Sequence, residues 1–171
     1  MADQGVLLDV ESGWDNDTWL TPRWILDQLG RFDLDPCAAA AAPFWVCGGA
    51  MTPAEDGLVQ PWLGRVFMNP PFSCIWPWVE QMAKHGNGIA LLPAGHDTEA
   101  WERYVWGAAD SIFLLRGRIR FAEPNGLNSR GRPRVPVALV AYSKTDAAVL
   151  RDFQGAGVLL KNWSVRKGVN R

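Results

Sequence analysis

The residues with the most chemistry in them are Asn69-Pro70-Pro71-Phe72, which stand directly after the apolar run Val66-Phe67-Met68. With proline at about 5% of residues, an Asn-Pro-Pro-aromatic tetrad arises by chance in roughly one chain in a thousand of this size. Each proline fixes its own φ, removes a backbone donor and pushes the residue before it towards extended geometry. The result is a rigid turn rich in acceptors: the Asn69 side-chain oxygen and nearby carbonyls such as that of Pro70. Two converging acceptors can hold the two N–H bonds of an exocyclic amine, while a ring such as Phe72 stacks on the planar system that carries it. Accepting both protons leaves the amine lone pair directed outward, towards an electrophile. The plain alternative is a polyproline turn that closes a strand, with Phe72 in the core.

The elements that must position this turn can be read on either side of it. Thr21 to Gly30 begins with a capping-type Thr, has Pro22 at a first helical position and stops at a glycine, which predicts a short helix. Phe32 and Leu34 alternate with Asp33 and Asp35 in a brief strand stopped by Pro36. The runs 64–69 and 88–94 have the continuous apolar character of buried parallel strands. Helices are expected over 75–86 and 98–108, and further strands over 111–116 and 135–143. Strands alternating with helices of about ten residues predict a three-layer α/β sheet. In such sheets ligands bind beyond the carboxyl ends of the strands. Asp35, Asn69 and the turn from Pro93 to His96 all fall at such ends.

Composition bounds the rest. The chain has 171 residues, 48% of them hydrophobic, and a formal net charge of -1, which suits one globular domain over 1–171 and excludes disorder and collagen-like repeats. The ends 1–15 and 164–171 are expected to be flexible. No apolar run approaches the ~18 to 20 residues of a membrane span, and no basic stretch precedes the short apolar patch near the N-terminus, so a cytoplasmic protein with no membrane partner is expected. Cys37, Cys47 and Cys74 are an odd set at unrelated spacings and read as reduced thiols. With His85 and His96 the sole histidines, no metal site is expected. Of the tryptophans, Trp76, Trp78, Trp101 and Trp106 fall in the expected helices and read as core.

Near-neutrality hides a strong polarity along the chain. Residues 1–35 carry a net charge of -6, residues 116–134 carry +5, and residues 155–171 add +4. All six cations of the middle segment, Arg116, Arg118, Arg120, Arg130, Arg132 and Arg134, are arginine. That choice favours planar, bidentate contacts to phosphate or guanine over a merely solvated loop. Asn125 and Asn128 in the same segment are candidates for reading adenine edges, with plain turn residues as the alternative.

Taken in order, these segments resemble a known family. NPPF looks like the [DNS]-P-P-[FYW] motif of S-adenosylmethionine-dependent amino-methyltransferases, and the pattern as a whole is similar to the phage-type DNA N6-adenine methyltransferases (Dam-like). The resembling stretches are Trp19 to Pro22, Phe32 to Ala38 (FDLDPCA), Asp56 to Trp62 (DGL-x-x-x-W), Val66 to Phe72, Leu91 to Ala94 (LLPA) and Gly117 to Phe121 (GRIRF). The resemblance implies an adenine-specific enzyme with S-adenosylmethionine as cofactor and double-stranded DNA as partner. It also implies a reduced Rossmann-like methyltransferase fold with a mostly parallel central sheet and a basic recognition hairpin or loop at 116–134, and it suggests a phage setting with protection from restriction.

Residue by residue, Thr21 and Pro22 match the segment beside the methyl donor. Asp35, Pro36 and Cys37 match the place where the first strand meets the donor, with Asp35 on its ribose hydroxyls or its amino group and Asp33 as the competitor for that role. Asp56, Gly57 and Leu58 match the position that accepts from the donor's adenine amine. Asn69, Pro70, Pro71 and Phe72 take the target adenine, which must flip out of the duplex. Arg116, Arg118, Arg120, Asn128, Arg130, Arg132 and Arg134 contact the DNA.

The departures also carry information. No glycine-rich loop follows the first strand, and only 33 residues separate Asp35 from Asn69, too few for two complete strand and helix repeats. A sheet with loop in place of at least one repeat is expected. Two other readings stand beside the first: an amino-methyltransferase acting on RNA bases or a protein glutamine, and a non-catalytic nucleic-acid-binding protein with a degenerate core. A chain this short leaves target specificity to few residues or to a second copy in a homodimer.

Overall fold

The computed structural model describes residues 20–40, 47–122, 129–131 and 135–165. Its centre is a seven-stranded sheet in the order β2-β1-β3-β4-β8-β5-β9, built from β1 (Phe32–Asp35), β2 (Cys47–Ala50), β3 (Val66–Met68), β4 (Gly88–Pro93), β5 (Ser111–Leu115), β8 (Val137–Ala141) and β9 (Gly157–Lys161). β6 (Phe121–Ala122) and β7 (Ser129–Gly131) form a separate two-stranded antiparallel ribbon within the arginine-rich segment.

Helices cover both faces, as the alternating pattern predicts. On one face α1 (Arg23–Leu29) and α4 (Lys144–Asp152) bury Ile25, Leu26, Leu29 and Leu150 against Phe67, Ile89, Leu91, Phe113 and Leu139. On the other, α2 (Trp76–His85) and α3 (Glu99–Trp101), which continues as a π-helical turn over Glu102–Trp106, bury Val79, Met82, Trp101 and Val105 against Val66, Met68, Ala90, Leu92 and Val140. Strands with an apolar cover on each side must be apolar throughout, which is why β3, β4 and β8 read as unbroken runs. Trp101 is fully buried, and Trp76, Trp78 and Trp106 pack half-buried on the second core.

The expectation of a mostly parallel sheet is corrected. β1 pairs in parallel with β2 and β3, and β3 with β4, but β8 runs antiparallel between β4 and β5, and β9 antiparallel along β5. The antiparallel ladders are the longer ones. The cause lies in the connections. A parallel return from β5 to β8 requires a crossover of a dozen or more residues, usually helical, whereas the arginine segment forms a ribbon and hands the chain back beside the strand it left. Between β1 and β3 the described residues hold β2 and turns but no helix, in keeping with loop in place of a repeat.

Strand directions now fix two edges. β1, β3, β4 and β5 all end at the same edge, here the carboxyl edge, from which the 116–134 segment departs. The opposite, amino edge carries the starts of β3 and β4 and the N-terminus of α4.

Candidate active site

Asp35 ends β1, and Asn69 follows β3, its parallel neighbour through the Leu34 and Val66 pair. Cys37 ties the two strand ends together. Its backbone N–H donates to Asp35 Oδ1 at 3.1 Å, its thiol hydrogen-bonds the same carboxyl, and its sulfur accepts from the Asn69 backbone. The peptide of Asp35 is itself locked, because Met51 N donates to its carbonyl at 2.8 Å and Ala38 N to that of Met51 at 2.9 Å. Burial pushes the Asp35 carboxyl up to about 7, opposed by the bonds from Cys37. Among the described residues no cation pairs with it. Burial and the neighbouring Asp35 charge push the Cys37 thiol upward too, so it is a protonated linker and not a nucleophile.

Asp33 is used differently. It is exposed, and its Oδ2 accepts from the backbone N–H of Arg65 at 2.6 Å, which occupies it in holding the loop before β3.

The Asp56-Gly57-Leu58 turn lies against Asp35-Pro36-Cys37. A Cβ on Gly57 would stand 1.9 Å from the Pro36 carbonyl oxygen, so only glycine allows the two turns to touch. Asp56 takes a positive φ of 50° and its Oδ1 accepts from Leu58 N at 3.3 Å, an Asx turn with the carboxylate exposed to solvent. Trp62, quoted above in DGL-x-x-x-W without a role, anchors this turn. Its Nε1 donates to the Gly57 carbonyl at 2.7 Å, and its buried indole stacks on Trp78 and meets His85 edge-on. A tryptophan five residues after a glycine is a signal that sequence could have offered.

The tetrad turns out of β3 as expected. Asn69 Oδ1 and Pro70 are buried, and Phe72 opens a short 3-10 turn, Phe72–Cys74. Phe72 is half-buried with its ring set edge-on to Phe121, centroids 6.3 Å apart and planes at 82°. It therefore shares in the core, as the structural alternative requires, while standing at the strand end.

Thr21 departs from its expected local role. Pro22, not Thr21, takes the cap position of α1, and its carbonyl accepts from Ile25 and Leu26. Thr21 is buried and its Oγ1 has no hydrogen-bond partner among the described residues. Its neighbour Leu20 bridges to Ala122 of β6, with Ala122 N donating to the Leu20 carbonyl at 3.0 Å. The N-terminal segment, the ribbon and the tetrad thus meet through Leu20, Ala122, Phe121 and Phe72.

Along the connection from β5 into the ribbon, Ile119 and Phe121 are buried while Arg116, Arg118 and Arg120 are exposed. Arg130 lies in β7, with only its backbone described; Asn125, Asn128, Arg132 and Arg134 lie outside the described residues, as do 1–15 and the end beyond Val165. His96 lines a separate cavity of about 530 Å³ with Asp97, Thr98, Glu99, Glu102, Trp106 and Trp163. No group of three or more metal-ligating side chains occurs among the described residues, and no helix there is long and apolar enough to cross a membrane.

A two-strand edge with a buried carboxyl, a proline-rigid acceptor turn and an arginine ribbon leaving the same edge is suited to holding a polar ligand beside an amine carried by a polyanion. No curated protein and no solved structure matches the chain. The family model described as DNA N-6-adenine-methyltransferase (Dam) matches residues 12–156, most of the chain, and the protein belongs to that family.

Proposed function

We propose that the protein transfers a methyl group from S-adenosylmethionine to the N6 amine of an adenine flipped out of double-stranded DNA. The observation that carries this reading is the juxtaposition of Asp35 and Asn69 on adjacent parallel strand ends, joined through Cys37. A donor site on the Asp35 side and an acceptor turn on the Asn69 side place the two reactants against each other.

The residues fit the donor on two counts. Among the described residues, Thr21 Oγ1 is a buried hydroxyl without a partner and the Asp35 carboxyl is withdrawn from water without a cation. Buried polar groups are ordinarily satisfied, so both are sites where a polar ligand gains hydrogen bonds. Asp35 would hold the ribose hydroxyls or the amino group, Asp56 the adenine amine, and Thr21, Pro22, Pro36, Cys37, Gly57 and Leu58 the walls around them. When bound, S-adenosylmethionine supplies an electrophilic methyl on a positively charged sulfur.

The chain's own residues do the rest by position. Asn69 Oδ1 and the Pro70 carbonyl accept hydrogen bonds from the two N6–H groups and stabilise the positive charge that grows on nitrogen as the N–C bond forms and the donor's S–C bond breaks; the surplus N6 proton is then released to water. Pro70 and Pro71 hold those acceptors still, so little reorganisation is needed at the moment of transfer. Phe72 stacks on the flipped base and replaces the stacking it has lost. Arg116, Arg118, Arg120 and the β6–β7 ribbon contact phosphates beside the flipped nucleotide and provide the surface for base reading, with Asn128, Arg130, Arg132 and Arg134 in the same segment.

The test is a labelled-methyl assay offering DNA, RNA and protein to the full chain, with the modified position mapped. Label on adenine N6 of duplex DNA is expected; label on RNA or on a protein glutamine would replace the DNA reading. Asn69→Ala is expected to lower the rate by a factor on the order of 10² or more, the scale of a lost preorganised electrostatic contact. Retention of activity within about tenfold would remove Asn69 from its role.

A further inference from the structure

Phe72 alone among the described side chains packs against both hydrophobic clusters, so it sits at the seam where the two cores meet the carboxyl edge. Its edge-on neighbour Phe121 is fully buried in the first of them. An edge-on contact leaves at least one face of Phe72 clear of Phe121. Phe121 is also the first residue of β6: it pairs with Gly131 of β7, follows three exposed arginines, and precedes Ala122, which bridges to Leu20 beside Thr21. One ring therefore joins the basic ribbon to the turn that carries Asn69.

We propose that Phe121 is a positioning residue for methyl transfer: seating the ribbon on DNA sets the Phe121 ring, and that ring sets the face that Phe72 offers to the adenine. The inference rests on the reading of the tetrad as an adenine clamp. It adds that DNA contact and base capture are coupled through a side chain that touches neither donor nor base. β6 already links the ribbon to the tetrad through Phe121. An aromatic edge contact of this kind is strong enough to bias one ring orientation over another by up to about tenfold.

Phe121→Leu keeps an apolar side chain in the core and removes the ring. With 2-aminopurine placed at the mapped target adenine, the full-length variant is expected to show a kcat lowered about tenfold, a weaker unstacked-base signal and a DNA KM within about twofold of the parent. Phe72→Leu, which also removes the ring that stacks on the base, is expected to lose at least as much, and the double variant is expected to be no worse than Phe72→Leu alone, because Phe121 acts only through Phe72. An unchanged kcat, a loss confined to KM, or full additivity in the double variant overturns the proposal. Should Phe121→Leu fail to fold, Phe121→Met serves the same cycle, since methionine adapts to irregular core space. A parent protein that puts no methyl on adenine defeats the clamp reading and this inference together; an active parent with an unaffected Phe121 variant defeats the inference alone.

Discussion

Asp146 and Asp35 are carboxylates withdrawn from water at opposite edges of the same sheet. Asp146, in the first turn of α4 at the amino edge, is fully buried and fully engaged. Arg65 Nε donates to its Oδ1 at 2.6 Å, and Ser143, the N-cap of α4, donates its hydroxyl to Oδ2 and accepts from the Asp146 backbone at 3.1 Å. Arg65 is in turn held by the Arg31 carbonyl at 2.8 Å and lies 4.0 Å from the centre of the Phe32 ring, with only its Nη2 left unsatisfied. Asp35, at the carboxyl edge, has the Cys37 thiol and a backbone N–H but, among the described residues, no cation, and its carboxyl is raised to about 7. A buried charge with its counter-charge built in holds a fold together, whereas one without it is costly unless a ligand completes it. The amino edge is finished in the free protein, and the carboxyl edge is not.

The largest effect should come from breaking the finished edge. Removing one partner of a buried ion pair strands the other, at a cost of about 3 to 5 kcal/mol. Arg65 keeps 19% of its side chain exposed, so water can take up part of its charge and Asp146→Ala should fall near the lower figure, about 3 kcal/mol in urea denaturation. Donor affinity of the folded fraction should not change. A loss below about 1 kcal/mol would mean that the amino edge is no more finished than the carboxyl one.

Asp35→Asn should do the opposite. Because the folded protein holds the Asp35 proton up to about pH 7 while the unfolded chain releases it near 4, the carboxyl's contribution to stability is full below its ordinary range and is lost as pH rises through 7. The variant should therefore be more stable than the parent at pH 8, by on the order of 2 kcal/mol, and the gap should close near pH 4. Ligand binding runs the other way. If the donor's hydroxyls or amine need the carboxylate, affinity should strengthen about tenfold between pH 6 and pH 8, and Asp35→Asn should weaken binding and flatten that profile. Calorimetry across this range checks both signs, and a parent profile without slope would take Asp35 out of the donor site.

This contrast was only half legible in the sequence. The apolar runs of β3, β4, β5 and β8 and the helical periodicity of α1, α2 and α3 were readable because burial on one or both faces leaves a pattern along the chain. The direction of β8 was not, since an unbroken apolar run looks the same from either end, and only the missing helix between β5 and β8 pointed to the antiparallel return. β2, with the sequence Cys-Gly-Gly-Ala, has no periodicity to read. Asp33 remained a competitor for the Asp35 role because the group that engages it, the Arg65 backbone, lies 32 residues away. Thr21 before Pro22 carried the usual signature of a cap, but Pro22 takes the cap position and Thr21 Oγ1 is left without a hydrogen-bond partner among the described residues. The tetrad was legible for a different reason: two prolines restrict the backbone whatever surrounds them.

The smallest effect tests the comparison through cations. Lys84, at the end of α2 towards the amino edge, is paired with Glu80 at 2.7 Å, whereas Arg118, at the carboxyl edge, is exposed and belongs to no ion pair among the described residues. A cation that meets a DNA phosphate releases about 0.9 of a counterion, so its removal lowers the slope of log affinity against log salt by about that amount. Arg118→Ala should reduce the slope by about 0.9, with a several-fold loss of affinity at moderate salt, while Lys84→Ala should leave the slope unchanged. Equal slopes for the two variants would place the DNA elsewhere than along the β6–β7 ribbon. A reduced slope for Lys84→Ala alone would move the polyanion to the amino edge.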